Sequence, residues 1–185
     1  MSQTKASQLA SDVLRSTGVD VAECYQCGKC TAGCPMAAYM DLSPNQVMRL
    51  VQVGDEEATE ALLGSSAIWA CAGCLTCTQR CPRQLDPAAV MDCLREMSWR
   101  QGKVSRAARK IVAFHKAFLQ SVERGGRMNE FPLVRRYKLA SRDFLSDVGL
   151  APAMVWRGKL HLRSQKVRGR AEIRRIFAAC KEGRR

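Results

Sequence analysis

Two cysteine runs with one stepped spacing constrain this chain more than any other feature. From Cys24 to Pro35 it reads C-Y-Q-C-G-K-C-T-A-G-C-P, and from Cys71 to Pro82 it reads C-A-G-C-L-T-C-T-Q-R-C-P. Both are C-x2-C-x2-C-x3-C-P. Three closely stepped thiols can loop around one cubane cluster, while the fourth, followed by proline, has already left the loop. A cubane takes four thiolates at the corners of a tetrahedron, so the repeated run is read as holding two [4Fe–4S] clusters. Where this spacing holds two clusters, the fourth cysteine of each run ligates the other one. On that rule the first cluster takes Cys24, Cys27, Cys30 and Cys81, and the second takes Cys71, Cys74, Cys77 and Cys34. The crossing ties the motifs together, sets the clusters near enough for electron transfer, and makes the fold depend on metal.

Other uses of cysteine fit less well. Structural zinc also takes four-cysteine sites, but usually from two separate C-x2-C knuckles. Ten cysteines in a small secreted chain would suggest disulfides. Here the start, M-S-Q-T-K-A-S-Q-L-A-S-D-V-L, has neither the apolar core nor the cleavage site of a secretion signal. The longest apolar stretch, Ala67 to Leu75, has nine residues, against the roughly 20 that a membrane helix needs. The expectation is a soluble protein of a reducing cytoplasm, without direct membrane insertion. Lys29 and Arg80 each precede a cysteine of a motif, and a positive charge there would favour a reduced cluster.

The segment between the motifs decides the fold class. Ser43-Pro44 reads as a helix cap and first helical residue, with Val47, Leu50 and Val51 at helical spacing up to Gly54. Asp55 then caps a second helix, with Glu56 and Glu57 in its first turn and Leu62 and Leu63 inside. A β-rich ferredoxin would place its motifs closer together and between strands. The spacing predicts instead a mainly α protein, an α-helical ferredoxin with a helical hairpin between its motifs. A weak amphipathic helix from Thr4 to Ser16 precedes the first motif. After the second, Asp86-Pro87 repeats the cap-plus-proline start, with Val90, Cys93, Leu94 and Met97 on one stripe. Cys93 is read there as a buried core thiol.

Charge divides the chain. Residues 1–97 carry a net −4 and residues 98–185 a net +17, within a total of +13. The reading is an acidic ferredoxin domain over 1–97 and a basic helical extension over 98–185 that docks partner subunits. In the extension, Val104, Ala108, Ile111, Val112, His115, Phe118, Leu119 and Val122 keep helical spacing to Gly125-Gly126. His115 is read as a core or interface histidine on that face. A further helix is expected from Leu133 to Asp147, stopped by Gly149 to Pro152, and a last one from Ala171 to Cys180. Residues 153–170 read as irregular and basic, and Cys180 as buried.

The first motif, followed by M-D-L-S-P-N from Met40 to Asn45, resembles the C subunit of heterodisulfide reductase. The stretches F-P-L-V-R-R-Y-K-L from Phe131 and E-I-R-R-I-F from Glu172 are similar to that family as well. A looser resemblance runs to fumarate reductase and succinate dehydrogenase iron–sulfur subunits. The closer resemblance implies a protein with no catalytic residues of its own. It would bind two [4Fe–4S] clusters and relay electrons from a flavin-containing A subunit to a cysteine-rich catalytic B subunit in a hetero-oligomer. The B subunit's disulfide site requires adjacent cysteines, and this sequence has no such pair.

Two other function classes come into question. The basic extension is the electrostatic footprint of a nucleic-acid binder. It has no helix-turn-helix or zinc-finger signature, however, and few aromatics for stacking, so nucleic acid is not expected. The other is an iron–sulfur relay between a dehydrogenase and a membrane or quinone partner, held by basic residues to anionic lipid. Trp156 is its only hint.

Overall fold

A computed structural model describes residues 8–141 and 169–182, together with 149, 152, 156, 157 and 167. It divides into two compact units, Met1–Ala108 and Arg109–Arg185. No strand occurs among the described residues, and the mainly α class read from the sequence holds.

Among the described residues, the first unit contains seven α-helices: α1 (Gln8–Thr17), α2 (Lys29–Ala32), α3 (Pro44–Val53), α4 (Glu56–Leu63), α5 (Ala67–Ala70), α6 (Thr76–Gln79) and α7 (Pro87–Arg100). The predicted hairpin is α3 and α4. Its start is fixed by a capping box in which Gln46 Oε1 accepts the Ser43 N–H at 2.8 Å, with Pro44 in the first turn. Asp55 caps α4 by accepting the Ala58 N–H at 2.7 Å. Asp86 does the same for α7 through the Ala89 N–H at 3.0 Å.

The long helices α1, α3, α4 and α7 meet in one core. Val13, Val47, Val51, Leu62, Leu63, Ile68, Val90 and Leu94 are all fully buried in it. Ser98 Oγ, buried at the far end of α7, donates to the Leu63 carbonyl at 2.7 Å and locks α7 to the end of α4. Cys93 is buried, as its place on the apolar stripe implies, with its sulfur 4.0 Å from Met97 Sδ.

The motif segments stand apart from this core. No residue from Cys24 to Ser43 is buried, nor any from Cys71 to Gln84. The apolar surface removed from water, which dominates folding stability, therefore lies outside both motifs.

The second unit contains α8 (Arg109–Gly125), α9 (Glu130–Ser141) and α10 (Arg170–Glu182). It departs from the sequence reading in three ways. On α8 the buried residues are Val112, Ala117, Ser121 and Gly125, while Phe114, Phe118 and Leu119 stay exposed. Small residues win that face because the chain returns close against it. The Asn129 N–H donates to Ser121 Oγ at 3.0 Å, and a Cβ on Gly125 would lie 2.7 Å from Asn129 Nδ2. His115 is accordingly exposed, its ring beside that of Phe114. Cys180 is exposed rather than buried, because α10 lays no buried residue against its neighbours and Ile176 on the same side is 62 % exposed. The expected stretch of helix from 142 to 147, the stop at Gly149 to Pro152 and the irregular segment 153–170 lie wholly or largely outside the described residues, as do residues 4–7 of the first expected helix.

Candidate cluster-binding site

The two motifs fold as two copies of one device. In the first, Gln26 and Gly28 take left-handed backbone conformations, with φ 61° and 75°; in the second, the matched residues Gly73 and Leu75 do so at 62° and 60°. These reversals curl each loop back on itself, so that α2 and α6 carry the third cysteines, Cys30 and Cys77. The residue after each third cysteine is a threonine with one task. Thr31 Oγ1 donates to Asn45 Oδ1 at 2.6 Å at the start of α3, and Thr78 Oγ1 donates to Asp86 Oδ1 at 2.7 Å at the start of α7. Each motif is thereby latched to the helix that follows it.

Long-range hydrogen bonds fix where the loops begin. From α3, Gln52 Nε2 donates to the carbonyls of Val21 at 2.8 Å and Cys24 at 2.7 Å. Asp41, just past the first motif, accepts from Ser65 Oγ, the Ser66 N–H and the Ala67 N–H, all within 2.7–2.8 Å. These bonds anchor α5, which Cys71 directly follows.

Burial alone would raise the Asp41 pKa, but its hydrogen bonds outweigh that and hold the carboxyl below its usual range. A depressed carboxylate stabilises the fold above its unfolded pKa, and the contribution is lost as pH falls through the folded value. At neutral pH the contribution is fully present. Asp41→Ala is accordingly expected to destabilise the first unit by about 1 kcal/mol at pH 7, since the carboxyl is exposed and its charge partly screened, measured as a fall in melting temperature. The gap from the native protein should narrow in acid.

The eight motif cysteines sort into two hollows. One of about 340 Å³, counted to its open mouth, is lined by Cys24, Cys27, Cys30 and Cys81. The other, of about 400 Å³, is lined by Cys34, Cys71, Cys74 and Cys77. Pro87, at the start of α7, lines both. Met48 faces the first hollow and the matched Met91 the second.

Cys27 and Cys74, at the loop tips, are exposed, and the other six are half-buried. Burial pushes the thiols of Cys30 and Cys77 up, whereas the Thr76 hydroxyl beside it pulls Cys74 down. Among the described residues, no three Cys, His, Asp or Glu side chains converge on a point that would hold a single metal ion. Four soft thiol donors around each of two wider hollows, walled by methionine, proline and leucine, fit iron–sulfur clusters.

Lys29 lines the first hollow. Arg80 lies across Gly33, where a Cβ would sit 2.6 Å from Arg80 Cδ. A side chain at Gly33, whose φ of −98° is ordinary, would require the flexible Arg80 side chain to move aside, while Gly28 suits its left-handed turn without steric cost. The sequence reading missed Gln26, Asp41, Asn45 and Gln52. The shared C-T step after each third cysteine could have pointed to the latches, whereas nothing local marks Gln52 or Asp41.

Residues 23–85, a span holding all eight motif cysteines, match the family model described as a 4Fe-4S dicluster domain. With the two four-thiol hollows, this marks residues 23–85 as a two-cluster iron–sulfur domain in an all-helical setting. The chain is similar to the C subunits of heterodisulfide reductases. It is 40 % identical over 87 residues to the ferredoxin:CoB-CoM heterodisulfide reductase C subunit of Methanosarcina acetivorans, covering 47 % of this chain and 33 % of that one. To the second CoB–CoM heterodisulfide reductase iron-sulfur C subunit of Methanocaldococcus jannaschii it is 32 % identical, over 57 % of this chain and 53 % of the relative. The iron-sulfur C subunit of Methanopyrus kandleri is 30 % identical, over 58 % and 55 %. The matches thus span from a third to just over half of these relatives' length. No helix among the described residues is long and apolar enough to cross a membrane.

Proposed function

We propose that this chain is the electron-transfer subunit of a heterodisulfide reductase-like complex, passing electrons from a flavin-containing A-type subunit to a cysteine-rich catalytic B-type subunit. The observation that carries the reading is the sorting of the thiols, with three from one motif and one from the other around each hollow. Cys24, Cys27, Cys30 and Cys81 hold one [4Fe–4S] cluster, and Cys71, Cys74, Cys77 and Cys34 the other. Each cluster, when bound, supplies reversible electron uptake. The chain's own residues set the two hollows side by side, with Pro87 as common wall, and leave Cys27 and Cys74 at the surface, where a partner can approach. The names of the relatives support the complex, and the thiolate-rich site suits a reducing cytoplasm.

The basic second half is the docking arm. It carries a net +17 over 98–185, and arginine is the preferred cation at protein interfaces. The test is anaerobic purification from the native source, with iron and sulfide analysis and identification of the chains that come with it. Two clusters per chain, together with a flavoprotein and a cysteine-rich protein, are the expected result. A lone chain, or one carrying zinc or nucleic acid, overturns the proposal. Deleting residues 150–185 is expected to lower recovery of the partners at least tenfold while leaving the visible absorption of both clusters intact. Such a loss corresponds to about 1.4 kcal/mol or more of binding.

A further inference from the structure

The two hollows come from one repeated device, so their matched positions can be compared directly. Superposing the motifs pairs Gln26 with Gly73, Gly28 with Leu75 and Lys29 with Thr76. Superposing the helix starts at Pro44 and Pro87 pairs Asn45 with Ala88 and Met48 with Met91. Gln26, Lys29, Asn45 and Met48 line the first hollow; Leu75, Ala88 and Met91 line the second. The methionines match. The polar residues do not.

Some of the differences cancel. Gln26 Nε2 donates to Cys24 Sγ at 3.5 Å, but in the second hollow the Cys74 thiol donates to Thr76 Oγ1 at 3.4 Å, so each site has one side-chain hydrogen bond at a sulfur. Arg80 precedes Cys81 of the first site and lies across Gly33, the neighbour of Cys34 of the second, so its charge serves both. Two differences remain. Lys29 has no ion-pair partner among the described residues, and its counterpart is the neutral Thr76. Asn45 uses its amide oxygen to accept the Thr31 hydroxyl, and Thr31 Oγ1 in turn accepts the Asn45 backbone N–H at 3.0 Å. Its side-chain N–H₂ finds no acceptor among the described residues. The counterpart, Ala88, offers no donor.

Reduction adds one negative charge to a cluster. A cation and a free amide donor at one site favour that charge, whereas an apolar wall at the other does not. We infer that the two sites are built for different reduction potentials, with Lys29 and Asn45 making the Cys24–Cys27–Cys30–Cys81 site the one reduced first and Leu75 and Ala88 keeping the other low. The inference rests on the ligand sets proposed above.

The test is an anaerobic redox titration of the full chain with both clusters loaded, followed by electron paramagnetic resonance. Two separated one-electron waves are expected. Lys29→Thr, at an exposed position, should shift the higher wave down and leave the lower one unmoved, and Asn45→Ala should do the same. Leu75→Gly, which suits the left-handed backbone and opens the second hollow to water, should raise the lower wave alone. Coincident waves in the native chain overturn the inference, as does a Lys29→Thr or Asn45→Ala variant that moves the lower wave or neither. A wrong ligand assignment would appear separately. The Cys34→Ser variant would then lose the same wave as Cys30→Ser, whatever the effect of Lys29→Thr.

Discussion

Cys34→Ser is expected to strip the chain of the cluster that Cys77→Ser removes, and to spare the one that Cys30→Ser removes. Cys34 lies four residues after Cys30 and more than thirty before Cys71, so sequence proximity alone would group it with the first motif. The structure puts it on the wall of the second hollow, with Cys71, Cys74 and Cys77. The reason is the turn after α2. Helical hydrogen bonds carry the chain to the Cys34 N–H, which donates to the Thr31 carbonyl at 3.0 Å, while the Thr31 side chain latches onto α3. Cys34 is thereby swung out of its own loop. Cys81 is turned the same way by its bond to the Thr78 carbonyl at 3.3 Å. Serine oxygen is a harder and poorer donor for iron than thiolate, so each variant should keep about half of the iron. Iron analysis with paramagnetic resonance reads the outcome: matching spectra for Cys34→Ser and Cys77→Ser support the crossing, and matching spectra for Cys34→Ser and Cys30→Ser defeat it.

Removal of the metal should have the second large effect, and an uneven one. Stripping iron with a chelator under reducing conditions is expected to abolish amide protection across 24–43 and 71–84. Measurable protection should remain in α3, α4 and α7. The motif segments bury no residue, so only a few hydrogen bonds and the thiolate bonds to iron can offset the cost of ordering their backbone, roughly 1–2 kcal/mol per residue. The four long helices have their own core of valines and leucines. Hydrogen exchange of the stripped and loaded chains decides the point. Uniform collapse would show that the core cannot stand without the clusters. Unchanged protection in the motifs would show that the loops hold themselves.

These two experiments separate what local sequence specifies from what it does not. Cysteine spacing and the caps at Ser43-Pro44, Asp55 and Asp86-Pro87 were legible because they act within a turn or two of themselves. So was burial of Cys93, which sits amid Val90 and Leu94 on one stripe. The clamp from Gln52 to the Cys24 carbonyl was not legible, since a glutamine on a helix face looks like any solvated residue until the chain folds under it. Asp41 reads in sequence as a loop carboxylate, and its three donors come from residues more than twenty positions on. In the second unit, the spacing of Phe118, Leu119 and His115 identified an apolar helix face but could not say what covers it. Small Ala117, Ser121 and Gly125 take the contact instead. Cys180 failed as a buried thiol for the same reason. Periodicity reports which side of a helix is apolar, and only the neighbouring helix decides whether that side is enclosed.

The left-handed backbone at Leu75 bears on which residue selection keeps there. At the matched place in the first motif the residue is Gly28, which adopts that conformation without steric cost. Leucine there costs roughly 1–2 kcal/mol, and its side chain is 50 % exposed, so it adds little to the core. A lineage selected for stability alone would drift to glycine at 75 as readily as at 28. Leucine is the residue expected to persist where variants are purged for what the second hollow does rather than for how well the chain folds. Position 75 would then rank among the slowest to change outside the cysteines themselves.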